Sequence, residues 1–204
     1  MLIIVKNVAI NLKIMKNPIE KPKYRSIDYS RTTITELMIP AYANFGGKIH
    51  GGIILSLMDK VAYVCAAKHS GGYCVTVSMN AVDFLAPVEV GDLVHLHATV
   101  NYVGKSSVVI GVKVESENIT NGDIKHTNTS FLTMVALDEN RNSRRVPGLI
   151  LESKQDIRNY LEAKKRRELI QEYKDAVNKS FESLNLDSEI NNIIDDNCIV
   201  IDDK

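Results

Sequence analysis

The chain has 204 residues, 45% of them apolar, and its 25 lysines and arginines balance 25 aspartates and glutamates. That length allows one domain with extensions, and the zero net charge gives no electrostatic bias toward nucleic acid or membrane. No apolar run reaches the roughly 18–20 residues of a membrane span, and three cysteines without metal-type spacing, Cys65, Cys74 and Cys198, read as reduced thiols of a cytoplasmic protein.

Residues 1–24 read as an N-terminal extension. Their apolar start is interrupted by Lys6, Asn7, Asn11 and Lys13 and lacks the basic segment and small-residue cleavage site of a signal peptide; Met15 is an alternative start. Arg25 to Met38, rich in Thr, Ile and Tyr, predicts a strand ended by Pro40. A helix follows over Ile53 to Ala67, so continuously apolar that it is expected to be buried on nearly all sides. The glycines of His69-Ser70-Gly71-Gly72 supply its stop.

Four strands are predicted next. In Cys74–Val82, Val75, Val77 and Met79 alternate with Thr76 and Ser78. In Leu93–Val103, Val94, Leu96, Ala98, Val100 and Tyr102 alternate with His95, His97, Thr99 and Asn101. Ser106–Glu117 sets Val108, Ile110, Val112 and Val114 on one face, and Thr127–Leu137 is the last. Period-two alternation over such lengths argues antiparallel pairing with one packed and one wetter face. Gly104-Lys105 and Asn121-Gly122-Asp123 suit hairpin connections. The fold class is α+β: one long central helix wrapped by a curved antiparallel sheet.

Residues 25–148 form this domain. Residues 149–182 supply a C-terminal amphipathic helix, from Ser153 to about Phe181, whose apolar stripe must dock on the sheet or on another subunit. Arg141 to Glu182 carries eleven basic against seven acidic residues, including the run Lys164-Lys165-Arg166-Arg167. It either sits near a phosphate-bearing ligand or is a solvated face. Residues 183–204, with six acids against Lys204, read as a mobile tail.

The chemistry concentrates at residues 44–59. A helix start exposes unpaired N–H groups and roughly half a positive charge; Gly51 and Gly52 would let a ligand approach those donors, making a carbonyl or oxyanion site. Asp59 places a carboxylate in an apolar helix, which is costly without a partner: it either holds a hydroxyl or a backbone turn or takes part in the chemistry, and Ser56, Asp59 and Tyr63 form the helix's polar stripe. Gly52 and Asp59 are seven residues apart, about 10.5 Å along the axis, so a carbonyl held at the helix start stays out of reach of its own Asp59. Two antiparallel copies of the helix in a two-fold dimer would bring each Asp59 to the other's Gly51. His50 either caps the helix or orients substrate, and Asn44 is either a turn residue or a donor to a carbonyl or water.

The ordered set Asn44-x-x-Gly47-x-x-His50-Gly51-Gly52, Leu57-Met58-Asp59-Lys60-x-Ala62, Phe84-Leu85-x-Pro87-Val88-x-x-Gly91-Asp92, Val103-Gly104-Lys105-Ser106-Ser107, Thr133 to Glu139 and Val146-Pro147-Gly148 resembles the hot-dog-fold acyl-CoA thioesterases of the cytosolic acyl-CoA hydrolase type. Tyr160 to Glu168 resembles that group's C-terminal helix, and the resemblance runs from about residue 30 to 172. It implies hydrolysis of acyl-CoA to CoA and a fatty acid. Asp59 would be general base or nucleophile, Gly51 the carbonyl donor, and Asn44 and His50 positioning groups. Gly52 and the turn Gly104-Lys105-Ser106-Ser107 would bind CoA, with Lys105 and the hydroxyls meeting phosphates. Acyl-CoA would be the substrate, with no separate cofactor or metal, and the assembly a dimer or trimer of dimers.

Rival readings attach to other residues. Cys65 or Cys74 with His69 could form a thiol nucleophile, but both cysteines fall on packed elements. His95 and His97 face one way without a third nearby ligand and read as a solvated strand face. A dehydratase or hydratase of acyl thioesters, and a non-enzymatic acyl-CoA-binding module, are the alternative functions; the first needs a His with the carboxylate, the second an output module.

Overall fold

The computed structural model describes residues 23–189 and Cys198. The expectations for residues 1–22, including the alternative start at Met15, and for residues 190–197 and 199–204 of the acidic tail lie outside the described residues.

Ser26 decides how the chain enters the fold. Its hydroxyl accepts from the Tyr29 N–H, and the Arg31 N–H bonds the Ile27 carbonyl. A helical turn, α1 (Ile27–Ser30), therefore splits the strand expected over 25–38 into β1 (Tyr24–Ser26) and β2 (Thr32–Leu37). A serine that caps a turn offers the backbone an alternative to the sheet ladder, which Thr- and Ile-rich composition does not reveal. Pro40 then opens a short 3-10 turn, Pro40–Tyr42.

The apolar run folds as α2 (Gly51–Ser70), about 30 Å long at 1.5 Å per residue. Gly71, at φ 73°, stops it by turning its N–H back to the Ala67 carbonyl, a left-handed conformation that favours glycine. Ile54, Leu57, Met58, Val61, Ala62, Cys65 and Ala66 are buried. The expectation of burial on nearly all sides is corrected, however. Gly52, Ser56, Lys60, Tyr63, Val64 and Lys68 form one exposed strip, with Tyr63 39% and Val64 37% accessible. One sheet covers only one side of a helix, so the apolar residues of this strip are left over.

The cover is a five-stranded antiparallel sheet of β2, β3 (Cys74–Met79), β4 (Leu93–Val103), β5 (Ser107–Glu117) and β6 (Ile124–Ala136), in the order β2-β4-β5-β6-β3. All five strands touch α2. Five strands spaced about 4.8 Å apart span more than the roughly 10 Å width of a helix, so the sheet must curl around it. Val94, Leu96, Ala98 and Val100 of β4, and Val108, Ile110, Val112 and Val114 of β5, line its inner face as expected.

Two irregularities re-aim side chains away from the expected alternation. In β4 the register shifts between Val100 and Tyr102, so Tyr102 leaves the packed face predicted for it and meets Tyr160 on the outer side, ring centroids 5.1 Å apart. In β3 the shift falls between Thr76 and Ser78. Cys74 and Thr76 lie opposite buried Ala136 and Met134, hence on the inner side, while Val77 is 61% accessible. The predicted apolar face of β3 is thus reversed before the bulge and regained only at Met79, which pairs with buried Leu132.

β7 (Gly148–Ile150) pairs in parallel with β1, Tyr24 opposite Gly148. A capping box then starts α3 (Lys154–Glu182): Ser153 Oγ accepts from the Asp156 N–H while the Asp156 carboxylate accepts from the Ser153 N–H. α3 lies on the outer face of the sheet through Ala163, Tyr160 on Tyr102, and Arg166 over the Phe131 ring at 4.3 Å. Ile157, Leu161, Leu169 and Tyr173 stay exposed, so the stripe docks only in part. A last turn, α4 (Leu186–Glu189), falls in the segment expected as tail. Among the described residues no helix is long and apolar enough to cross a membrane.

Candidate active site

His50 resolves into a cap. Its extended backbone ends the loop, and its Nδ1 accepts the Gly52 N–H at 2.9 Å. This bond sets the imidazole over the helix start as its cap. Gly52 is thereby engaged, whereas the Gly51 N–H has no hydrogen-bond partner among the described residues. One free donor at the positive end of α2 is what a developing oxyanion requires. Phe84, 53% accessible, lies against this donor: a Cβ on Gly51 would stand 3.0 Å from its ring. A side chain at position 51 would require this exposed ring to shift.

Asn44 proves to be a turn residue with a remaining donor. Its Oδ1 accepts from the Gly46 and Lys48 N–H groups at 2.8 and 3.2 Å. Its amide Nδ2 makes no hydrogen bond among the described residues, so the side chain is oriented by the loop and can still donate outward. The loop is fixed by Asn44 N–H to the Lys48 carbonyl and His50 N–H to the Tyr42 carbonyl.

Asp59 does hold a hydroxyl, from a residue that strand alternation did not point to. Thr76 donates its hydroxyl to Asp59 Oδ1 at 2.6 Å, tying the helix to edge strand β3. The carboxylate is half-buried, at the border of the exposed strip of α2, rather than enclosed in apolar surroundings. Strand alternation concealed Thr76 by placing it on the wetter face; its inward turn follows from the register beside the bulge.

The turn at Gly104 lies at the opposite end of the helix from Gly51. The Gly104 N–H bonds the Ser107 carbonyl, and the Ala136 N–H bonds the Ser106 carbonyl. Ala136 pairs with Cys74, whose thiol is 3.2 Å from Ser70 Oγ at the end of α2. Within one chain, Gly51, Asp59 and Gly104-Lys105-Ser106-Ser107 are therefore strung along the helix rather than gathered.

The rival groups are occupied. Burial pushes the Cys65 thiol up to about 12 and raises that of Cys74, which leaves both as unreactive thiols at neutral pH. His95 lies between Thr35 and Glu117, at 2.9 and 2.7 Å, and His97 between Thr33 and Glu115, at 3.1 and 3.3 Å. Among the described residues no cluster of His, Cys, Asp or Glu is arranged to hold a metal ion.

Residues 46–122 match the family described as the Thioesterase superfamily. The Helicobacter pylori protein VdlD is 40% identical over 142 residues, 70% of this chain and 81% of that protein. A solved apo-hexameric acyl-CoA thioesterase is 34% identical, with a TM-score of 0.72, over 74% of this chain and 97% of its own. The Staphylococcus aureus acyl-CoA hydrolase, solved with butyryl coenzyme A, coenzyme A and coenzyme A disulfide, is 29% identical, with a TM-score of 0.70, over 78% of this chain and 97% of its own. That enzyme has also been solved with alanine in place of an asparagine, an aspartate or a threonine. These three positions are separated by 15 and then 17 residues, the spacing of Asn44, Asp59 and Thr76.

A long helix inside a curled five-stranded antiparallel sheet, followed by a C-terminal helix, is the hot-dog fold. The chain belongs to the thioesterase superfamily, as an acyl-CoA hydrolase of the hot-dog fold; it is a thioester hydrolase.

Proposed function

We propose that this chain hydrolyses acyl-CoA to free CoA and a carboxylic acid at sites shared by two antiparallel copies of α2. Asp59 from one protomer works there with the Gly51 N–H of the other. The observation that carries this reading is the separation of two groups built for one reaction. Asp59 is oriented by Thr76 and the Gly51 N–H is left open at the helix start, yet they lie too far apart along one rigid helix to serve a single carbonyl. An antiparallel neighbour against the strip of Ser56, Tyr63 and Val64 brings them together. It also carries the partner's helix start toward the Gly104–Ser107 end of the first protomer, so the expected CoA-binding turn joins the site. Support comes from the matching asparagine, aspartate and threonine spacing in the S. aureus enzyme and from the hexameric state of a similar thioesterase, which fits a trimer of such dimers.

In this arrangement the Gly51 N–H polarises the thioester carbonyl and holds the oxyanion as it forms. Asp59 either takes a proton from water as that water attacks the carbonyl carbon, or attacks that carbon itself. The first route gives a tetrahedral intermediate whose C–S bond breaks to release CoA. In the second, the C–S bond breaks and CoA leaves as the acyl group forms a mixed anhydride with Asp59, which water then opens to the carboxylic acid and free Asp59. The Asn44 amide is placed to steady the carbonyl or the water, and His50 holds the helix start in shape. A dehydratase would need an imidazole paired with the carboxylate, but His50 Nδ1 faces Gly52 and Asp59 faces Thr76.

Mixed dimers test the sharing of sites. Asp59→Asn and Gly51→Val chains should each be inactive alone, and their mixed dimers should regain thiol release, because one of the two sites then contains neither lesion. If both groups came from the same chain, every site would carry a lesion and mixing would restore nothing.

A further inference from the structure

Where α3 crosses the outer face of the sheet it leaves a groove of about 930 Å³ beside β3 and β6. Met79, Phe131, Leu169, Ile170 and Tyr173 make its apolar lining, yet Leu169 and Tyr173 are 50% and 70% accessible. Three cations, Lys165, Arg166 and Lys174, stand on the same walls. Lys165 is paired with Glu168 at 3.5 Å. Among the described residues neither Arg166 nor Lys174 has a carboxylate within salt-bridge distance. Of the two wall acids, Glu162 is held by Arg158 at 2.8 Å, which leaves Asp83 alone to oppose them. An apolar trough with uncompensated positive charge beside it suits an occupant whose apolar side chains are followed closely by carboxylates.

The sequence beyond α4 has that composition twice over. Ile193-Ile194-Asp195-Asp196 and Ile199-Val200-Ile201-Asp202-Asp203 each set apolar residues directly before an aspartate pair. Reach is sufficient whatever course the chain takes. Lys174 lies eight residues before Glu182, about 12 Å along α3. The seven residues from Glu182 to Glu189 span at most about 25 Å, so Glu189 is no more than about 37 Å from Lys174. The fourteen residues from Glu189 to Asp203 can cover about 46 Å. Being tethered, they meet the groove at an effective concentration in the millimolar range, where weak contacts suffice.

We propose that residues 190–203 of this same chain occupy the groove, their apolar residues against Leu169, Ile170 and Tyr173 and their aspartates beside Lys174 and Arg166. The occupant then lies against Ser78 and Met79, two and three residues past Thr76, and braces from outside the edge strand that orients Asp59. A second copy of the hot-dog domain is the poorer occupant. Its expected contact is the strip of α2, and its whole charge is zero, whereas residues 183–204 carry six acids against one lysine.

Cross-linking of the full chain tests this. A water-soluble carbodiimide joins a lysine amine to a carboxylate in contact with it, and digestion should yield an amide between Lys174 and one of Asp195, Asp196, Asp202 and Asp203. In oligomers assembled from 15N-labelled and unlabelled chains, both halves of the linked peptide should carry the same label. Arg166→Glu and Leu169→Ser, both at exposed positions, should each lower the yield about three- to tenfold while melting as wild type. Mixed-label peptides would give the groove to a neighbour's segment and overturn the assignment. So would a yield unmoved by both substitutions, the absence of any link to Lys174, or equal linking to lysines remote from the groove such as Lys113 and Lys125.

Discussion

Thr76 Oγ1 lies 2.6 Å from Asp59 Oδ1, joining the edge strand to the helix at the carboxylate proposed to do the chemistry. The hydroxyl can only donate to an ionised carboxylate, so it fixes one oxygen and leaves the other for water or thioester. Asp59→Asn keeps the shape and removes the base or nucleophile. It should lower thiol release by about 100- to 10,000-fold while calorimetry shows CoA still bound. Thr76→Val, which removes only the hydroxyl, should lower kcat about tenfold, the scale of one charge-assisted hydrogen bond. An Asp59→Asn protein with near-normal turnover would remove this residue from the mechanism.

Gly51 and Phe84 make a second pair. A methyl on Gly51 would stand 3.0 Å from the Phe84 ring, which is more than half exposed and free to yield. Gly51→Ala should therefore melt within a few degrees of wild type yet crowd the one open N–H. Since an oxyanion donor is worth about 100- to 1000-fold in kcat, partial obstruction should cost a large part of that. Adding Phe84→Ala gives the displaced ring's space back and should restore some activity. Equal activity in Gly51→Ala and wild type would show that this N–H does not contact the reacting carbonyl.

Much of the fold was legible in the chain because hydrophobic periodicity is a local signal. The uninterrupted apolar run of α2 and the alternation of β4 and β5 appear where expected. What misled were one-residue events. The bulge at Tyr102 turned an expected core ring outward toward Arg167, and the register near Thr76 turned a polar residue inward toward Asp59. Ser26 broke an expected strand with one hydroxyl cap. Residues 44–59 announced a donor and an acid in the sequence; the second half of the pair at Asp59, 17 positions away on another element, needed the coordinates.

His69 gives the protein a pH dependence unrelated to catalysis. It is fully buried, with Nε2 donating to the Pro147 carbonyl at 3.1 Å and Nδ1 facing Ser30 Oγ at 3.5 Å. Burial lowers its pKa below the ordinary 6.5, helped by the charge of Arg25, and the bond to Pro147 opposes this only in part. The unfolded chain thus binds this proton more readily than the folded one. Its contribution to stability is complete above about pH 6.5 and declines as pH falls from there toward the lower folded-state value. His69→Gln keeps a donor for Pro147 and removes the titration. Urea melts of the two proteins from pH 7.5 to 5 should show wild type losing stability relative to the variant at the acid end. Parallel curves would mean the imidazole stays neutral for another reason or charges without cost.

The exposed strip of α2 and the outer edge of β3 make the last prediction. Val64 and Val77, 37% and 61% accessible, are apolar residues on faces that a single chain leaves uncovered, and β3 presents an unpaired edge. Val64→Asp puts a charge where an antiparallel second helix would pack, and Val77→Lys places one on the edge. A charge buried at such a contact without a partner costs several kcal/mol, enough to dissociate a dimer at micromolar concentration. Neither residue lies in the single-chain core, so circular dichroism should remain native-like. Sedimentation should then give a monomer, and thiol release should vanish with the dimer, because Asp59 has lost the neighbouring helix start. A monomer that still turns over acyl-CoA would place the whole site within one chain.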